Sequence, residues 1–355
     1  MQYCANVMTA AVHTSQTISY AQRYEDMHLL RVFGEQANGF YIDIGAGHPV
    51  YDNVSFAFYL RGWSGITVEP NPWLAQLSKA VRPRDSRNQS LVGEKPAEST
   101  YYLVEDFHGL STTVENHALK AQSEFGKSSQ AITMPVTTLR ALCEQHAPAV
   151  IDFLKVDVEG AEREVLLGGD WRRFRPKVVV LEALAPVTMA PAWEAWEPLL
   201  TEQDYRFAYF DSLNRYYVAE EHAALADRLA AAPRSFAGVV PFGQFKPALD
   251  DVSHPDHGLA RLLAGADMVR LPLMSLDSIA ERLIDGLDPA DPDRAAQPSD
   301  IVAAHQRLFG TPPPPLWANI LQLAPNSTIR DLYRSAVATE AFRAACGRIS
   351  ASSAW

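Results

Sequence analysis

Acidic residues close several short apolar runs of this sequence. Asp157 and Glu159 follow the run "VIDFLKV", and Glu182 follows "KVVVL". Alternate residues of an extended strand point to one side, so Asp157 and Glu159 are predicted to share a face if the strand continues that far. Carboxylates gathered in this way can take a proton from a hydroxyl group or bind a divalent cation. We therefore predict that Asp157, Glu159 and Glu182 are catalytic, with Asp157 and Glu182 as candidate metal ligands.

Glu159 and a further candidate, His108, each have a competing interpretation. Glu159 and the nearby Glu162 precede a helix-like stretch, where carboxylates favour the positive end of a helix instead of doing chemistry. His108 lies in "DFHGLST", a loop expected to cover the site, and its near-neutral pKa makes it an alternative base. A single loop histidine is more often simply solvated.

The loop "FYIDIGAGHP", residues 40–49, is typical of a nucleotide-type turn after a strand. A dinucleotide fingerprint needs a third glycine, but that position is Val50. A carboxylate just before the first glycine would repel a pyrophosphate and would suit a cationic ligand such as S-adenosylmethionine. The loop therefore favours a methyl donor over NAD, which leaves an NAD-dependent oxidoreductase as a disfavoured alternative. The residues predicted to bind the cofactor here are Asp43, Gly45, Ala46, Gly47 and His48.

Glu69 is the next candidate cofactor ligand. It ends the apolar run "GITV", about twenty residues after the glycine loop, where an acidic residue can accept hydrogen bonds from both ribose hydroxyls. Asn53 flanks the glycine loop, whereas Gln22 comes, with Glu25 and Asp26, from an N-terminal motif that is expected to close over the methionine end of the cofactor. Asn53 and Gln22 are predicted to touch the substrate. Helix-start capping is the alternative for Asn53, and a surface amphipathic helix is the alternative for Gln22.

Four strands are predicted to position these side chains. They are "FYIDI" (40–44), "GITVEP" (65–70), "VIDFLKVDV" (150–158) and "KVVVLEA" (177–183). Stretches long enough for helices separate them, which indicates an α/β fold with a doubly wound, mostly parallel sheet. Ligands of such sheets bind at the carboxyl ends of the strands, where the acidic residues stand.

The last third of the chain has a different character. Thirteen of its 24 prolines fall after residue 225, strand-like runs disappear, and three amphipathic helices are predicted. The first includes Leu276, Leu283 and a capping box of Ser278 with Glu281. The other two begin near residues 299 and 329. We predict a domain over residues 1–225, a Pro-rich linker over 226–270 and a helical C-terminal region over 271–355.

Composition limits the classes of partner and compartment. The formal net charge of −11 argues against nucleic acid as a partner, because binding a phosphate backbone needs clustered Lys and Arg. The three cysteines show no CxxC spacing, which argues against a disulfide framework or a zinc site. No signal-like segment and no apolar run of ~18 residues appears. We expect a cytoplasmic protein without a transmembrane segment.

Taken together, these motifs resemble the FkbM-type family of S-adenosylmethionine-dependent methyltransferases. The resemblance extends over residues 15–220 and rests on "SYAQRYEDMHLLRVF" (19–33), "GFYIDIGAGHPVYDNVSFAFYLRGWSGITVEPNP" (39–72), "GLST" (109–112), "IDFLKVDVEGAEREVLLGGDW" (151–171), "VVLEA" (179–183) and "LNRYYV" (213–218). It implies a class I methyltransferase fold, Rossmann-like, and methyl transfer to a hydroxyl oxygen, often of a sugar. Asp43, Gly45, Gly47 and Glu69 match the family's cofactor positions.

The resulting hypothesis is an S-adenosylmethionine-dependent O-methyltransferase that acts on a hydroxyl of a saccharide, in polysaccharide or glycolipid assembly, with a divalent metal as a candidate second cofactor. The alternative hypothesis is a methyltransferase-like scaffold that has lost turnover and binds a glycan or a protein.

Overall fold

A twisted sheet of mostly parallel strands forms the centre of the computed structural model. The structure describes residues 17–104, 110–146, 148–185, 188–231, 236–287, 292–313 and 326–354. Within them the sheet has the strand order β10-β11-β9-β8-β2-β3-β4, and β11 alone runs against the other six. These strands are β2 (Phe40–Ile44), β3 (Ser64–Val68), β4 (Ser86–Asn88), β8 (Ile151–Val156), β9 (Pro176–Glu182), β10 (Tyr205–Phe210) and β11 (Asn214–Ala219).

Helices cover both faces of this sheet. Because side chains alternate along each strand, Ile42, Leu154 and Val179 pack on one face, and Tyr41 and Phe153 pack on the other. The first face is covered by α5 (Leu139–His146), α6 (Glu162–Leu167) and α7 (Glu197–Thr201). The second is covered by α1 (Glu25–Phe33), α2 (Phe56–Leu60) and α8 (Ala224–Ala230). The expected doubly wound α/β arrangement is therefore present.

A small three-stranded sheet lies between β4 and β8 in the chain. Its strand order is β5-β7-β6. A helix, α4 (Glu115–Phe125), follows β6. The strands are β5 (Leu91–Val92), β6 (Ala97–Leu103) and β7 (Gln130–Thr137). This sheet was not predicted, because β6 and β7 are largely exposed and lack the continuous apolar runs of the central strands, and β5 has only two residues.

The predicted central strands are found within two residues of their expected bounds. The predicted run 150–158 ends earlier, at Val156, so Asp157 and Glu159 are not on the strand. "NPW" (71–73) begins a helix, α3 (Pro72–Val81). There the Asn71 side chain accepts hydrogen bonds from the backbone of Trp73 and Leu74, which is the usual role of Asn at an N-cap.

The three predicted C-terminal helices are also present. They are α10 (Leu276–Asp285), α11 (Pro298–Phe309) and α12 (Ile329–Ala338). The predicted capping box of Ser278 and Glu281 is wrong, because α10 starts before Ser278. Capping boxes instead open α11, with Gln297 and Asp300, and α12, with Thr328 and Asp331. A fourth helix, α13 (Glu340–Ser353), was not predicted as an element of its own.

The segment predicted as a linker, 226–270, differs from that expectation. It completes α8 and contains β12 (Val239–Pro241), which pairs in parallel with β1 (Thr17–Ser19), and α9 (His257–Leu262). Leu259 and Leu263 are buried in the same apolar cluster as α10 to α13. The described prolines of this segment, Pro241, Pro247 and Pro255, lie at a strand end or beside turns instead of in an extended spacer. The boundaries at 225 and 270 themselves stay predictions.

The last helix joins the C-terminal region to the sheet domain. Gly347 of α13 lies so close to α3 that an added Cβ would come 2.6 Å from a methyl group of Val81 and 3.1 Å from one of Val50. Glu340 forms an ion pair with Arg84 next to this contact. Val50 directly follows the glycine loop, so the C-terminal helix packs against the chain that leaves the loop.

Among the described residues, no helix combines the length and the apolar character needed to cross a bilayer.

The contact at Gly347 predicts a position-specific effect on stability. Gly347→Leu should lower the free energy of unfolding by about 1–3 kcal/mol, because the new side chain overpacks against Val81 and Val50. Gly258→Leu is the matched control, because that glycine is also helical and has no atom within 4 Å of an added Cβ. The control should be neutral or slightly stabilising, since Leu favours helices more than Gly. Urea unfolding measures both, and an equal effect at the two positions contradicts the packing.

Candidate functional site

A cavity of about 520 Å³ opens at the carboxyl ends of the central strands. It lies where the chain order reverses, between β2, which leads outward to β3 and β4, and β8, which leads to β9 on the other side. Ligands of doubly wound sheets bind at such a switch point. The volume is within the ~300–1,000 Å³ typical of small-molecule pockets.

The glycine loop forms the floor of the cavity. Gly45 and Gly47 have φ of 71° and 59°, a region that residues with a Cβ rarely occupy. A Cβ on Gly45 would lie 1.7 Å from the carbonyl oxygen of Asp157, so glycine is required there by both conformation and space. The α2 helix begins only at Phe56, so no helix N-terminus follows the loop directly, in contrast to a dinucleotide fingerprint.

Asp43 lies beneath the loop and does not face the ligand space. Its side chain is fully buried and accepts a hydrogen bond of 2.5 Å from the Ser55 hydroxyl. Its other oxygen lies 3.6 Å from the ammonium of Lys155. The prediction that Asp43 contacts a cationic cofactor directly is therefore wrong, because its carboxylate is buried beneath the loop. The strand alternation that buries Tyr41 on this face also buries Asp43, and a buried cation compensates the carboxylate.

Lys155 is the cation that ties the loop to the sheet. Its ammonium donates a hydrogen bond of 2.7 Å to the carbonyl of Gly45 and lies 3.3 Å from the carboxylate of Asp157. Parallel pairing places Lys155 beside Asp43 in register. Burial alone would lower the pKa of Lys155, because it disfavours the charged ammonium. The nearby carboxylates of Asp157 and Asp43 have the larger combined effect and raise that pKa above its ordinary value. Lys155 is therefore charged and holds the loop.

Asn53 is a second residue whose expected role is corrected. Its amide nitrogen donates to the carbonyl of Ala46, and its amide oxygen accepts from Phe56 N and from the guanidinium of Arg82. Asn53 is 1% exposed, so its amide is used within the protein instead of touching substrate. It fills the alternative role weighed from the sequence, at the start of α2.

Glu69 stands directly after β3 and lines the cavity. One carboxylate oxygen accepts a hydrogen bond of 2.8 Å from Gly47 N, and the other accepts one of 2.8 Å from Asn71 N. Burial raises the pKa of Glu69 to about 7, although the two backbone donors act in the opposite direction. The carboxylate therefore braces the loop and still presents lone pairs to a ligand.

The three predicted catalytic carboxylates are brought together at the other end of the cavity. Asp157, Glu159 and Glu182 each offer an oxygen within 4.8 Å of the others. Glu182 Oε2 is buried without a hydrogen-bond partner. Burial, followed by repulsion from Asp157, raises the pKa values of Glu159 and Glu182 above their ordinary range. The group is suited to accept a proton or to hold a divalent cation.

The remaining predicted residues fall into two sets. Ala46, His48 and Gln22 line the cavity, with the His48 Nδ1 atom accepting hydrogen bonds from the backbone of Val50 and Tyr51. His108 lies outside the described residues, so its role as an alternative base stays a prediction. Glu162 begins α6, and its carboxylate accepts hydrogen bonds from the backbone N–H groups of Val158 and Gly160 in the preceding turn. It therefore ties that turn to the first turn of the helix, where a carboxylate also favours the positive end, and does not act as its N-cap.

Several lining residues were not found from the sequence. Leu91 and Tyr101 make one end of the cavity apolar, and the Ser90 hydroxyl is buried there without a hydrogen-bond partner. These residues belong to the small sheet and the turn before it, whose strands carry no strong periodic signal. By contrast, Glu25 of α1 belongs to the N-terminal motif that also holds Gln22, and it lines the cavity as that motif suggested.

The fold and the cavity together define an α/β protein with a small-molecule site at the switch point of a doubly wound sheet. The family model described as Methyltransferase FkbM domain matches residues 43–207. Over these residues the chain is similar to the FkbM methyltransferase family, and the resemblance read from the motifs is confirmed there. Methyltransferase activity and an S-adenosylmethionine cofactor are what this family implies. None of the curated proteins matches the chain.

The buried carboxyl of Glu69 predicts a pH dependence of stability. Its pKa is about 7 in the folded chain against an ordinary value of 4.5. The stability that the protonated carboxyl contributes is therefore fully present below about pH 4.5 and is lost as the pH rises through about 7. Glu69→Gln cannot ionise. Between about pH 5 and about pH 8 the free energy of unfolding should therefore fall less in Glu69→Gln than in wild type. The difference should be up to about 3 kcal/mol.

Urea unfolding at the two pH values measures this difference. Glu98→Gln is the control, because Glu98 is an exposed carboxylate of β6. Other buried carboxyls contribute equally to wild type and variant and cancel in the comparison. Parallel pH dependences of wild type and Glu69→Gln would falsify the assignment.

Proposed function

We propose that the protein is a class I, S-adenosylmethionine-dependent O-methyltransferase acting on a hydroxyl group of a saccharide. The observation that carries the proposal is a single cavity with two chemically different ends, joined by the glycine loop. One end is apolar and lies beside Glu69. The other gathers the carboxylates of Asp157, Glu159 and Glu182. The doubly wound sheet supports the class I assignment.

The residues present fit the proposed cofactor. The apolar end offers Leu74, Leu91 and Tyr101 to a flat base, and the unpartnered Ser90 hydroxyl offers a hydrogen bond. Glu69 is placed to accept from ribose hydroxyls. Bound S-adenosylmethionine supplies an electrophilic methyl group on a sulfonium. The carboxylate-rich end suits its positive charge, which is the role the sequence assigned to Asp43.

The carboxylate end suits a hydroxyl acceptor. A hydroxyl is a poor nucleophile near neutral pH, so a base must receive its proton as the oxygen attacks the methyl carbon. In this step the oxygen–carbon bond forms, the carbon–sulfur bond breaks with its electron pair going to sulfur, and a carboxylate takes the proton. Asp157 is our candidate for the base, because it lies beside the charged Lys155 and is partly open to the cavity.

The carboxyl groups of the lining favour a polyhydroxyl acceptor. Glu25, Asp157, Glu159 and Glu182 line the cavity, and Lys155 is already engaged by Asp43 and Asp157. Carboxyl groups form hydrogen bonds with sugar hydroxyls in either protonation state. We extend the proposal to a cytoplasmic setting and to no nucleic-acid partner, on the charge and composition already described.

A divalent cation is a candidate second cofactor of the same end. Asp157, Glu159 and Glu182 would hold it, and their hard oxygen atoms suit magnesium or calcium. Such an ion would bring positive charge beside the acceptor oxygens. The unpartnered Glu182 Oε2 atom is the observation that supports this fit.

Asp157→Asn tests the catalytic assignment. The variant should still bind S-adenosylmethionine by calorimetry with at most a small loss of affinity, because the apolar end and Glu69 are unchanged and Glu159 and Glu182 remain at the carboxylate end. Its rate of labelled methyl transfer to a saccharide acceptor should fall by roughly 10²–10⁴-fold, the usual contribution of a general base. Glu164→Gln, on the exposed side of α6, is the control. Cofactor binding without transfer in wild type would instead support the glycan- or protein-binding scaffold.

Metal assistance is tested separately. If a divalent ion is held by the three carboxylates, a chelator should abolish methyl transfer and added Mg²⁺ should restore it, while cofactor affinity is unchanged. Glu182→Gln should weaken the response to Mg²⁺, because it replaces one ligand oxygen with an amide. Transfer that is indifferent to chelation would assign the carboxylates to base catalysis alone.

A further inference from the structure

The backbone at Glu159, just after β8, has an unusual conformation that side chains from another part of the fold hold in place. Glu159 has φ of 55° and Gly160 has φ of 105°, so two successive residues lie in the left-handed region. Glu159 carries a Cβ, and such residues persist there only when the surroundings enforce the conformation. We call residues 158–161 the Glu159 turn.

Two side chains from another part of the fold bind the carbonyl of this turn. The hydroxyl of Thr112 donates a hydrogen bond of 2.9 Å to Glu159 O. The imidazole of His117, on α4, is 3.1 Å from the same oxygen through Nδ1. A carbonyl oxygen only accepts, so Nδ1 carries the proton and the neutral ring is the Nδ1–H tautomer.

Thr112 and His117, which we call the clamp, are anchored to the fold and closely packed against the turn. Thr112 exchanges two backbone hydrogen bonds with Tyr102 of β6, so the hydroxyl is fixed to the small sheet. A Cβ on Gly160 would lie 2.7 Å from the imidazole Cε1 atom of His117. Glycine at 160 is therefore required for His117 to approach the turn as well as for its positive φ.

The consequence is the position of the Glu159 carboxylate. The turn leaves the strand direction after β8, yet it keeps a carboxylate oxygen of Glu159 within 4.8 Å of those of Asp157 and Glu182. An extended backbone at this point would carry the side chain elsewhere. The small sheet, which holds the apolar end of the cavity, thus also sets the geometry of the carboxylate end.

We propose that Thr112 and His117 are positioning residues that hold Glu159 in its left-handed turn and thereby complete the carboxylate group that receives the acceptor hydroxyl. The inference rests on the proposed function for its catalytic consequence. Its structural part, the clamp on the Glu159 backbone, stands without it.

Thr112→Val removes the hydroxyl and keeps the shape of the side chain. We expect kcat for methyl transfer to fall by about 10–100-fold, because small displacements of a catalytic group have effects of this size. The Kd for S-adenosylmethionine should stay within about twofold, because the apolar end is untouched. Thr112→Ser, which keeps the donor, should restore kcat, and His117→Phe should act like Thr112→Val.

Thr138→Val is the matched control. It removes a hydroxyl that accepts a hydrogen bond from Ala141 N at the start of α5, away from the cavity, so it should lower thermal stability without lowering kcat. If Thr112→Val leaves kcat unchanged, or lowers kcat only in proportion to a loss of cofactor affinity, the positioning role is overturned.

A crystal structure of Thr112→Val separates this inference from the proposed function. We expect Glu159 to leave positive φ and its carboxylate to move away from Asp157 and Glu182. A structure in which all three carboxylates keep their places overturns the clamp even if wild type proves to have no methyl-transfer activity. The absence of transfer in wild type, with the turn lost in the variant, overturns only the proposed function.

Discussion

One buried ammonium group holds the central part of this site together. Lys155 lies between the carboxylates of Asp43 and Asp157 and donates to the carbonyl of Gly45. It thereby links β8, β2, the glycine loop and the candidate base. A buried carboxylate without a partner is costly, so the loop can keep its position only while this cation is present. The positions of the glycine loop and of Asp157 therefore both depend on it.

A second polar network supports the loop from below and connects it to the C-terminal region. Arg82, fully buried and paired with Asp85, bonds Asn53 and Ser55, and Ser55 in turn bonds Asp43. Arg82 directly follows α3, the helix on which α13 packs through Gly347. The last helix, α13, is thus packed against the support of the glycine loop and not merely attached to the end of the chain.

The cavity is preorganised by elements that are distant in the chain. The glycine loop and Glu69 come from the first strands, the carboxylates from β8 and β9, and the apolar end from the small sheet. That sheet also holds the Glu159 turn through Thr112 and His117. A site built on strand ends and braced by a separate sheet holds its groups in place before a ligand arrives, which lowers the cost of ordering them.

The sequence by itself determined four of the central strands, three C-terminal helices, and the glycine loop and carboxylates of the site, because continuous apolar runs and helical periodicity are local signals and parallel strands place their carboxyl ends together. The small sheet and α13 carried weaker signals. In the sheet, β6 and β7 are largely exposed and β5 has only two residues, and the buried face of α13 consists mainly of small residues. Only the tertiary structure decided that Asp43 and Asn53 support the loop instead of touching a ligand. Their roles depend on Lys155 and Arg82, which pair with them through strand register and packing across long sequence separations that no local pattern reports.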